Sequence, residues 1–308
     1  MRQNRTVAWK GKRLRMDRIW PYLFVLPYLL CYFLFNFYPT LYSFYISFFD
    51  WNGISDKVFV GLQNYITLLT KDALFWKAMR NTLLMIAISI PVQIGLGLVA
   101  AAILFPMKHK RALETIVFLP YIIAPIAIGA IFANMFDWQY GYINEVMLQL
   151  DVLGEKVYWL QDERWAFVIV VLMQIWRHVG YCMVIYLAGM TAIPAEIYEA
   201  ARIDGASSVQ IFLRITVPQL NSLTVFLVLT SIINGLQLYE MPAQLYAGST
   251  ANMGGPNYSV LTVIWKFIDD AFGSKMQLGY GAALCYILFV VIVTISMIFK
   301  RITAGKED

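Results

Sequence analysis

Charged residues are scarce in this chain. Asp, Glu, Lys and Arg make up only 14% of its 308 residues, whereas 60% are hydrophobic. Since about a quarter of the residues in a soluble globular domain are charged, this composition excludes an ordinary soluble protein and indicates a membrane protein. The long apolar runs also lack the period-two alternation of a membrane barrel. We therefore expect an all-α membrane protein.

Histidine and cysteine are also rare. His109 lies in a basic segment and His178 in an apolar run, while Cys31, Cys182 and Cys285 all lie in apolar runs. None of these residues has the spacing of metal ligands. We therefore expect no metal site, and we interpret the cysteines as small buried hydrophobic residues.

The chain lacks a phosphate-binding P-loop. Its Gly-Lys pairs, Gly11-Lys12 and Gly305-Lys306, are not followed by the Ser or Thr whose hydroxyl would hold magnesium. We therefore expect that the chain hydrolyses no ATP by itself, is not an enzyme and carries no cofactor of its own.

Long apolar runs are abundant. A spanning helix needs about 20 such residues, and six runs reach this length. The first contains Pro27 and Pro39, which predict a kink or an early break. After it, Phe59–Leu84 mixes aromatic and charged residues and predicts one interfacial helix. The six predicted spans are Trp20–Phe48, Arg80–Leu104, Thr115–Phe136, Ala166–Met190, Leu220–Glu240 and Leu278–Lys300.

Lys and Arg are concentrated in segments that the positive-inside rule places in the cytoplasm. Seven lie among the first 19 residues, and others lie in the link after the second span and in the tail. The link between the third and fourth spans is acidic instead. We therefore predict a basic cytoplasmic N-terminus at 1–19, a six-helix domain at 20–300 and a cytoplasmic tail at 301–308. The net charge of +5 then implies no nucleic acid, although anionic lipid headgroups would attract it.

The polar stretch EAARIDGASSVQIFLRITVP lies between the fourth and fifth predicted spans, on the cytoplasmic side. Its sequence predicts two short helices at an angle. Pro194 suits the start of the first helix, and Gly205 favours the left-handed conformation that ends it. Ser207 or Ser208 can cap the second helix, and Pro218 marks its end.

This stretch resembles the EAA loop of binding-protein-dependent ABC transporter permeases. The family pattern is EAA, three residues, Gly, nine residues, then I-x-L-P. The matching residues here are Glu199-Ala200-Ala201, Gly205, Ile215 and Pro218, with Val217 in place of the usual Leu. An ordinary amphipathic hairpin at the membrane surface is the alternative interpretation.

Four shorter stretches resemble the sugar-transport branch of the same family. They are Asp50-Trp51-Asn52-Gly53, the segment FVGLQNY at Phe59–Tyr65 with Asn81-Thr82-Leu83 after it, Gly254-Gly255-Pro256, and the segment LGYGAA that begins at Leu278. With the EAA loop, the likeness extends over nearly the whole chain.

The resemblance implies a MetI-like permease fold with both termini cytoplasmic, in the inner (cytoplasmic) membrane of a bacterium. It also implies three kinds of partner: a second, homologous permease that forms a heterodimer, two ATP-binding subunits that carry ATP and magnesium, and an external solute-binding protein. The loop at 194–218 would be the coupling helix, seated in a groove of the ATPase. Glu199 would pair with an arginine of the ATPase or cap its own hairpin. The residues assigned to coupling are Glu199, Ala200, Ala201, Asp204, Gly205, Ile215 and Pro218.

Polar side chains inside the predicted spans indicate a solute path, because such groups are costly in lipid and normally face the protein interior or water. Sugars are recognised by hydrogen bonds to hydroxyl groups and by stacking on aromatic rings. We therefore predict contacts from Asn234, Gln237, Tyr239 and Trp176. The alternative for Asn234 and Gln237 is hydrogen bonding between helices. We interpret Arg177 as a structural pairing charge or a subunit-interface residue.

We therefore predict a permease subunit of an ATP-driven importer for a sugar or oligosaccharide. Two other classes stay open at this point. An ion-coupled secondary transporter would carry carboxylates within its spans, whereas the predicted spans have no central Asp or Glu and Glu240 lies near an outer end. A membrane scaffold that only anchors an ATPase would need no polar path.

Overall fold

The computed structural model describes residues 10–247, 253–273 and 275–304, most of which lie in helices. The described residues do not include positions 1–9 of the predicted basic N-terminus or positions 305–308 of the predicted tail. The α-helices are α1 (Lys10–Tyr32), α2 (Tyr38–Ile46), α3 (Gln63–Thr70), α4 (Ala73–Leu104), α5 (Arg111–Ile122), α6 (Pro125–Met135), α7 (Tyr142–Gln149), α8 (Glu163–Ala192), α9 (Ala195–Ile203), α10 (Ser208–Ile211), α11 (Val217–Gln219), α12 (Asn221–Leu236), α13 (Glu240–Leu245), α14 (Val263–Phe272) and α15 (Leu278–Ala304). Single π-helical turns occupy Phe33–Phe37 and Phe212–Thr216, a 3₁₀ turn occupies Pro256–Tyr258, and the strands β1 (Phe49–Asp50) and β2 (Val58–Phe59) pair antiparallel.

Four helical segments are long and apolar enough to cross a membrane. They are Trp20–Ile46, Ala73–Leu104, Glu163–Ala192 and Leu278–Thr303. Two bent helix pairs also qualify when each pair is taken as one span, which gives up to six spans by length and composition. The chain is therefore a multi-pass, mostly helical membrane protein.

The third predicted span, Thr115–Phe136, is not one straight helix. It consists of α5 and α6, which meet at an angle of 94°. The break has a local cause, because Pro125 disfavours the helical conformation in the residue before it. Ala124 is accordingly extended, with φ −57° and ψ 133°. The start of the fifth span is also bent, by 63° between Ser208–Gln219 and Asn221–Leu236.

The prolines of the first span do not break it. Pro39 lacks the N–H that would continue the α-helical hydrogen-bond pattern, and the helix widens into a π turn just before it. The Tyr38 N–H donates to the Phe33 carbonyl, five residues back. The predicted kink or break is thus absorbed by one wide turn between α1 and α2.

The predicted interfacial helix at Phe59–Leu84 was wrong as a single helix. The segment contains β2, α3 and the beginning of α4, which starts before Arg80. Asp72 explains the division, because its carboxylate caps α4 by accepting a hydrogen bond from the Phe75 N–H at 2.8 Å. This cap also places Asp72 beside α14 and α15.

The core forms where α4 and α8 pack along their length, with α12 against α4, α15 against α12 and α5 against α8. Glycines permit the closest approaches. A Cβ at Gly97 would lie 2.5 Å from the Cys182 Cβ, and one at Gly180 would lie 2.2 Å from the Val117 carbonyl oxygen. The helix axes can approach this closely only because these positions lack side chains.

Three of the short motifs tie the helix ends together. Asn64 donates to the carbonyls of Ser47 and Phe49, at 2.9 and 3.0 Å. Asn81 donates to the carbonyls of Tyr258 and Leu261, at 2.8 and 3.2 Å, just after the Gly254-Gly255-Pro256 turn. These motifs therefore cross-link loops and helix ends.

An ionic cluster joins α4, α14 and α15 on the same side as these motifs. Lys266 is 2% exposed and its Nζ lies 2.9 Å from Asp72 Oδ2 and 2.7 Å from Asp270 Oδ2. Lys275 contacts the other oxygen of Asp270 at 3.0 Å, and the Tyr280 hydroxyl donates to Asp72 at 2.6 Å. The cluster fixes α14 and the start of α15 against the start of α4.

Acid should weaken this cluster. Burial tends to raise the pKa of Asp72, but hydrogen bonds from Tyr280 and Lys266 outweigh it and hold that pKa below its ordinary value. The stabilisation is therefore complete above the unfolded pKa of about 3.9 and is lost as the pH falls through the lowered folded value. Melting temperatures of the solubilised protein between pH 6 and pH 3 should fall more steeply for the wild type than for Asp72→Asn. Parallel curves would contradict this expectation.

Candidate functional site

The first candidate site is the hairpin formed by α9 and α10. Pro194 precedes α9, and the helix ends at Ile203, where the Asp204 N–H donates to the Ala200 carbonyl at 3.0 Å. Gly205 follows with φ +80°, and the Ala206 N–H donates to the Ala201 carbonyl at 2.9 Å. This left-handed glycine ends the helix and reverses the chain, as the sequence predicts.

The second arm begins at Ser207, which forms a capping box with Gln210. The Gln210 N–H donates to Ser207 Oγ at 3.3 Å, and the Ser207 N–H donates to Gln210 Oε1 at 2.8 Å. The π turn at Phe212–Thr216 follows α10, and the arm ends at Gln219, one residue beyond the predicted Pro218.

The tip of the hairpin is open to solvent. Ile203, Val209 and Leu213 are 86%, 66% and 58% exposed, which is unusual for apolar residues on a polar hairpin. Among the residues assigned to coupling, Glu199, Ala200, Asp204, Gly205 and Pro218 are exposed, and Ala201 and Ile215 are half-buried. Within the described residues the Glu199 carboxylate accepts no hydrogen bond, so it does not cap its own hairpin there.

The hairpin is anchored on its other side. Tyr198 lies 6.2 Å from the ring of Phe105, at the end of α4, and its hydroxyl lies 3.4 Å from Thr216 Oγ1. Ile197, Ile215 and Pro218 contribute to a cleft at the base of the hairpin. The hairpin is thus held against α4 at its base and presents its apolar tip outward.

The second candidate site is a cavity of about 450 Å³, which we call the inner cavity. It lies beside the break between α5 and α6 and at the link between α12 and α13. Irregular backbone at membrane depth is tolerated where it is buried in protein or lines a water-filled cavity. The lining residues are Tyr121, Pro125, Gln174, Arg177, His178, Asn234, Gln237, Leu238, Tyr239, Glu240, Met241 and Ile264.

The structure brings together three of the four residues predicted for the solute path. Asn234 lies on the last turn of α12, and Gln237 and Tyr239 lie in the non-helical link to α13. Thr262 anchors this link by donating to the Leu238 carbonyl at 2.6 Å. Trp176 does not line the cavity, because it points toward Phe132, at a ring distance of 5.8 Å.

Helix α8 contributes two polar residues, Gln174 and Arg177, that were not among those predicted for the solute path. Gln174 is only 3% exposed, and its side-chain oxygen has no hydrogen-bond partner among the described residues. The guanidinium carbon Cζ of Arg177 lies 5.3 Å from the centre of the Tyr121 ring. Arg177 follows Gln174 by three residues, so both lie on one face of α8. This spacing could have predicted from the sequence that both residues line the same cavity.

Of the two interpretations of Arg177, the structure does not show a structural pairing charge within this chain, and the subunit-interface residue stays a prediction. No carboxylate lies within salt-bridge distance of it among the described residues, and its Nε is buried without a partner there. Burying such groups without hydrogen bonds is costly. The inner cavity is lined by amide- and guanidinium-bearing residues beside aromatic rings, a combination suited to a polyhydroxylated solute.

A bundle of membrane helices with a polar cavity and an exposed apolar-tipped hairpin is the architecture expected of the membrane component of a solute transporter. The family model described as "Binding-protein-dependent transport system inner membrane component" matches residues 93–304. The chain belongs to this family, as the EAA-loop residues predict. It is therefore a permease component, which is not itself an enzyme.

Relatives along the whole chain agree with this assignment. The lactose transport system permease protein LacF of Rhizobium radiobacter is 32% identical over 288 residues, covering 93% of this chain and 94% of that protein. The arabinooligosaccharides transport system permease protein AraP of Bacillus subtilis (strain 168) is 32% identical over 293 residues, covering 92% and 88%. Such relatives give no support to the ion-coupled alternative.

The fold also resembles that of a solved transporter chain. A chain of the bacterial alginate ABC transporter in complex with alginate pentasaccharide-bound periplasmic protein matches with a TM-score of 0.79 at 22% identity, covering 94% of this chain and 97% of that chain. At this identity the likeness shows the fold alone.

Proposed function

We propose that this permease carries a sugar or oligosaccharide across the membrane. The observation that supports it most directly is the inner cavity, where amide, guanidinium and aromatic side chains converge beside the break between α5 and α6 and at the link between α12 and α13. The relatives named for lactose and for arabinooligosaccharides agree with this chemistry. The solute would hydrogen-bond to Asn234 and Gln237, which are exposed, and stack against Tyr121 or Tyr239.

We further propose six spans with both termini in the cytoplasm of a bacterial cell, so that the protein lies in the inner membrane. Counting each bent pair as one span gives six spans. An even number of spans is what places both termini on the same side of a membrane. Residues 1–19 and 301–308 would then be the cytoplasmic ends of the permease domain at 20–300. The hairpin at 194–218 would lie on the same side, where its exposed apolar tip meets a cytoplasmic ATPase.

The partners are part of the same proposal. A second, homologous permease would complete the path, two ATP-binding subunits would carry ATP and magnesium, and an external solute-binding protein would deliver the solute.

In the transport cycle, closure of the ATPase pair would draw the two hairpins together and open the permease pair outward. Hydrolysis would then return it to the inward-open state. This chain would contribute half of the gate and no covalent chemistry.

The first experiment identifies these partners. The full chain is purified from its native membrane in mild detergent, and the co-purified proteins are identified by mass spectrometry. We expect an ATPase and a second permease with an EAA loop. The complex is then reconstituted with its solute-binding protein, and ATP-dependent uptake of lactose and arabinotriose is measured. Recovery without an ATPase would contradict the importer, and uptake of neither sugar would contradict the proposed solute.

Replacing both Asn234 and Gln237 by alanine should change solute preference without loss of assembly. Each side chain supplies hydrogen bonds that contribute about 0.5–1.5 kcal/mol, so the ratio of uptake of two sugars should change about tenfold. Uptake is compared in proteoliposomes at equal protein content, with Gln63→Ala as the control on the exposed face of α3. Unchanged uptake of both sugars would assign Asn234 and Gln237 to helix packing instead.

A further inference from the structure

A second, larger cavity lies at the opposite end of α6 from the inner cavity. Its volume is about 1000 Å³, near the upper end of the range for small-molecule sites. We call it the outer cavity. Its walls are the C-terminal half of α6, the loop after it, the segment before α8 and the end of α13. The residues that line it are Ala130, Ala133, Asn134, Met135, Asp137, Trp138, Tyr140, Tyr142, Leu160, Gln161, Gln244, Leu245, Tyr246 and Pro256.

Aromatic and amide side chains dominate this lining. Trp138, Tyr140 and Tyr142 are 37%, 80% and 68% exposed, so their rings are open to a ligand. Gln161 and Gln244 form no side-chain hydrogen bond within the described residues, whereas Tyr246 is fixed by donating to the Leu160 carbonyl at 2.8 Å. Rings for stacking beside amide groups for hydroxyls are the two features that carbohydrate recognition needs.

The walls are firmly held. Asp137 Oδ1 accepts hydrogen bonds from the backbone of Gln139 and Tyr140, at 2.9 and 2.8 Å, and so shapes the loop. The rings of Trp138 and Tyr158 stack with 4.9 Å between their centres. Since a side chain that is already ordered loses less entropy on binding, the loop is prepared to hold a ligand.

Both cavities are built on the same pair of helices. Pro125 begins α6 in the inner cavity, whereas Asn134 lies in the outer cavity, nine residues or about 13 Å further along the helix. Glu240 and Gln244 likewise occupy successive turns of α13, one in each cavity. The two helices touch where a Cβ at Gly129 would lie 2.7 Å from the Gln244 Cβ. The cavities are therefore neighbouring compartments along α6 and α13.

We propose that the outer cavity is a second carbohydrate-binding site, which receives the saccharide before it enters the inner cavity. The proposal rests on the proposed function, because it assumes that the acidic side of the protein, where this cavity opens, faces outward. Trp138 and Tyr142 stack on the sugar, and Gln161 and Gln244 hydrogen-bond to its hydroxyl groups. The saccharide then moves along α6 and α13, past the contact at Gly129, to Gln237 and Asn234.

Cysteine protection tests this site directly. In the purified full complex, Gln244→Cys is modified with a positively charged methanethiosulfonate reagent, alone or with lactose, arabinotriose or an alginate trisaccharide. We expect at least one saccharide to slow the modification about fivefold, as a bound ligand shielding the thiol would. Gln63→Cys on α3 is the matched control, and glycine betaine at equal osmolality is the control solute.

Every outcome of this test bears on the site. Equal rates with and without each saccharide, or equal slowing at Gln63→Cys, would overturn the proposal. Failure of the reagent to reach Gln244→Cys would show that a partner subunit covers the cavity, and would overturn it too. The measurement does not depend on uptake, so protection in a complex that transports no saccharide would refute the proposed function and keep the site.

Uptake provides a second readout that a purely structural role would not change. Gln161→Ala combined with Gln244→Ala should raise the half-saturating concentration of the loaded solute-binding protein about tenfold, because two hydrogen bonds of ordinary strength are lost. Maximal uptake and the affinity of the solute-binding protein in its unloaded form should stay unchanged. A fall in maximal uptake alone, or weaker docking of the unloaded protein, would contradict a saccharide site.

Discussion

A Gly205→Val variant is expected to lose most ATP-driven uptake while its complex still hydrolyses ATP. Gly205 has φ +80°, and a Cβ added there meets nothing within 4 Å. The substitution therefore acts through backbone strain and not through a clash. A left-handed conformation costs an ordinary residue about 1–2 kcal/mol, which lowers the population of the native turn about 5–30-fold. We would measure uptake and ATPase activity on the same proteoliposomes.

Two control variants isolate the conformation as the cause. Gly154→Val also adds a side chain into open space, but Gly154 does not have a positive φ, so uptake should stay near that of the wild type. Gly205→Asn should retain more uptake than Gly205→Val, because asparagine tolerates the left-handed conformation. Normal uptake by Gly205→Val would remove the hairpin from the coupling mechanism.

A Lys266→Met variant is expected to be strongly destabilised. Lys266 is 2% exposed and neutralises Asp72 and Asp270, which are themselves 14% and 2% exposed at their side chains. Methionine fills a similar volume but leaves Asp72 without a cation and leaves Asp270 with Lys275 alone. Breaking a buried ion pair in this way costs about 3–5 kcal/mol. The melting temperature and the yield of folded protein after extraction would both fall.

The same cluster contains its own control. Lys275 pairs with Asp270 from a side chain that is 53% exposed, so Lys275→Met should cost about 1 kcal/mol or less. Adding Asp72→Asn to Lys266→Met should recover part of the lost stability, because the charge that was left without a cation is removed. Equal melting temperatures for Lys266→Met and Lys275→Met would show that burial does not govern this cluster.

The hairpin could be predicted from sequence almost residue by residue. Pro194, Gly205 and Ser207 act on the backbone next to them, so their effects do not depend on distant packing. The bounds of α8 and α15 were also close to the predicted spans for a similar reason, since the length of an apolar run is a local property. The family resemblance then supplied the fold and the class of protein.

The inner cavity could be predicted only in part. Asn234, Gln237 and Tyr239 are near one another in sequence, so their polar character within an apolar run marked them. Tyr121 and Gln174 join them only because α5 breaks before Pro125 and α8 packs across the gap. The ionic cluster is a second example, because Asp72, Lys266 and Tyr280 come from three distant segments. Such contacts depend on tertiary packing, which periodicity and capping signals do not encode.

The π turn at Phe212–Thr216 has a mechanical consequence. The turn ends two residues before Pro218, and together they interrupt the regular hydrogen-bond ladder of the helix just where the hairpin joins α12. Bending stiffness in a helix comes from that ladder, so this point is a compliant joint between two stiffer arms. A push on the hairpin tip would be converted mainly into rotation at the joint. The broken end of α12 would then tilt as a lever, without any helix having to stretch or unwind.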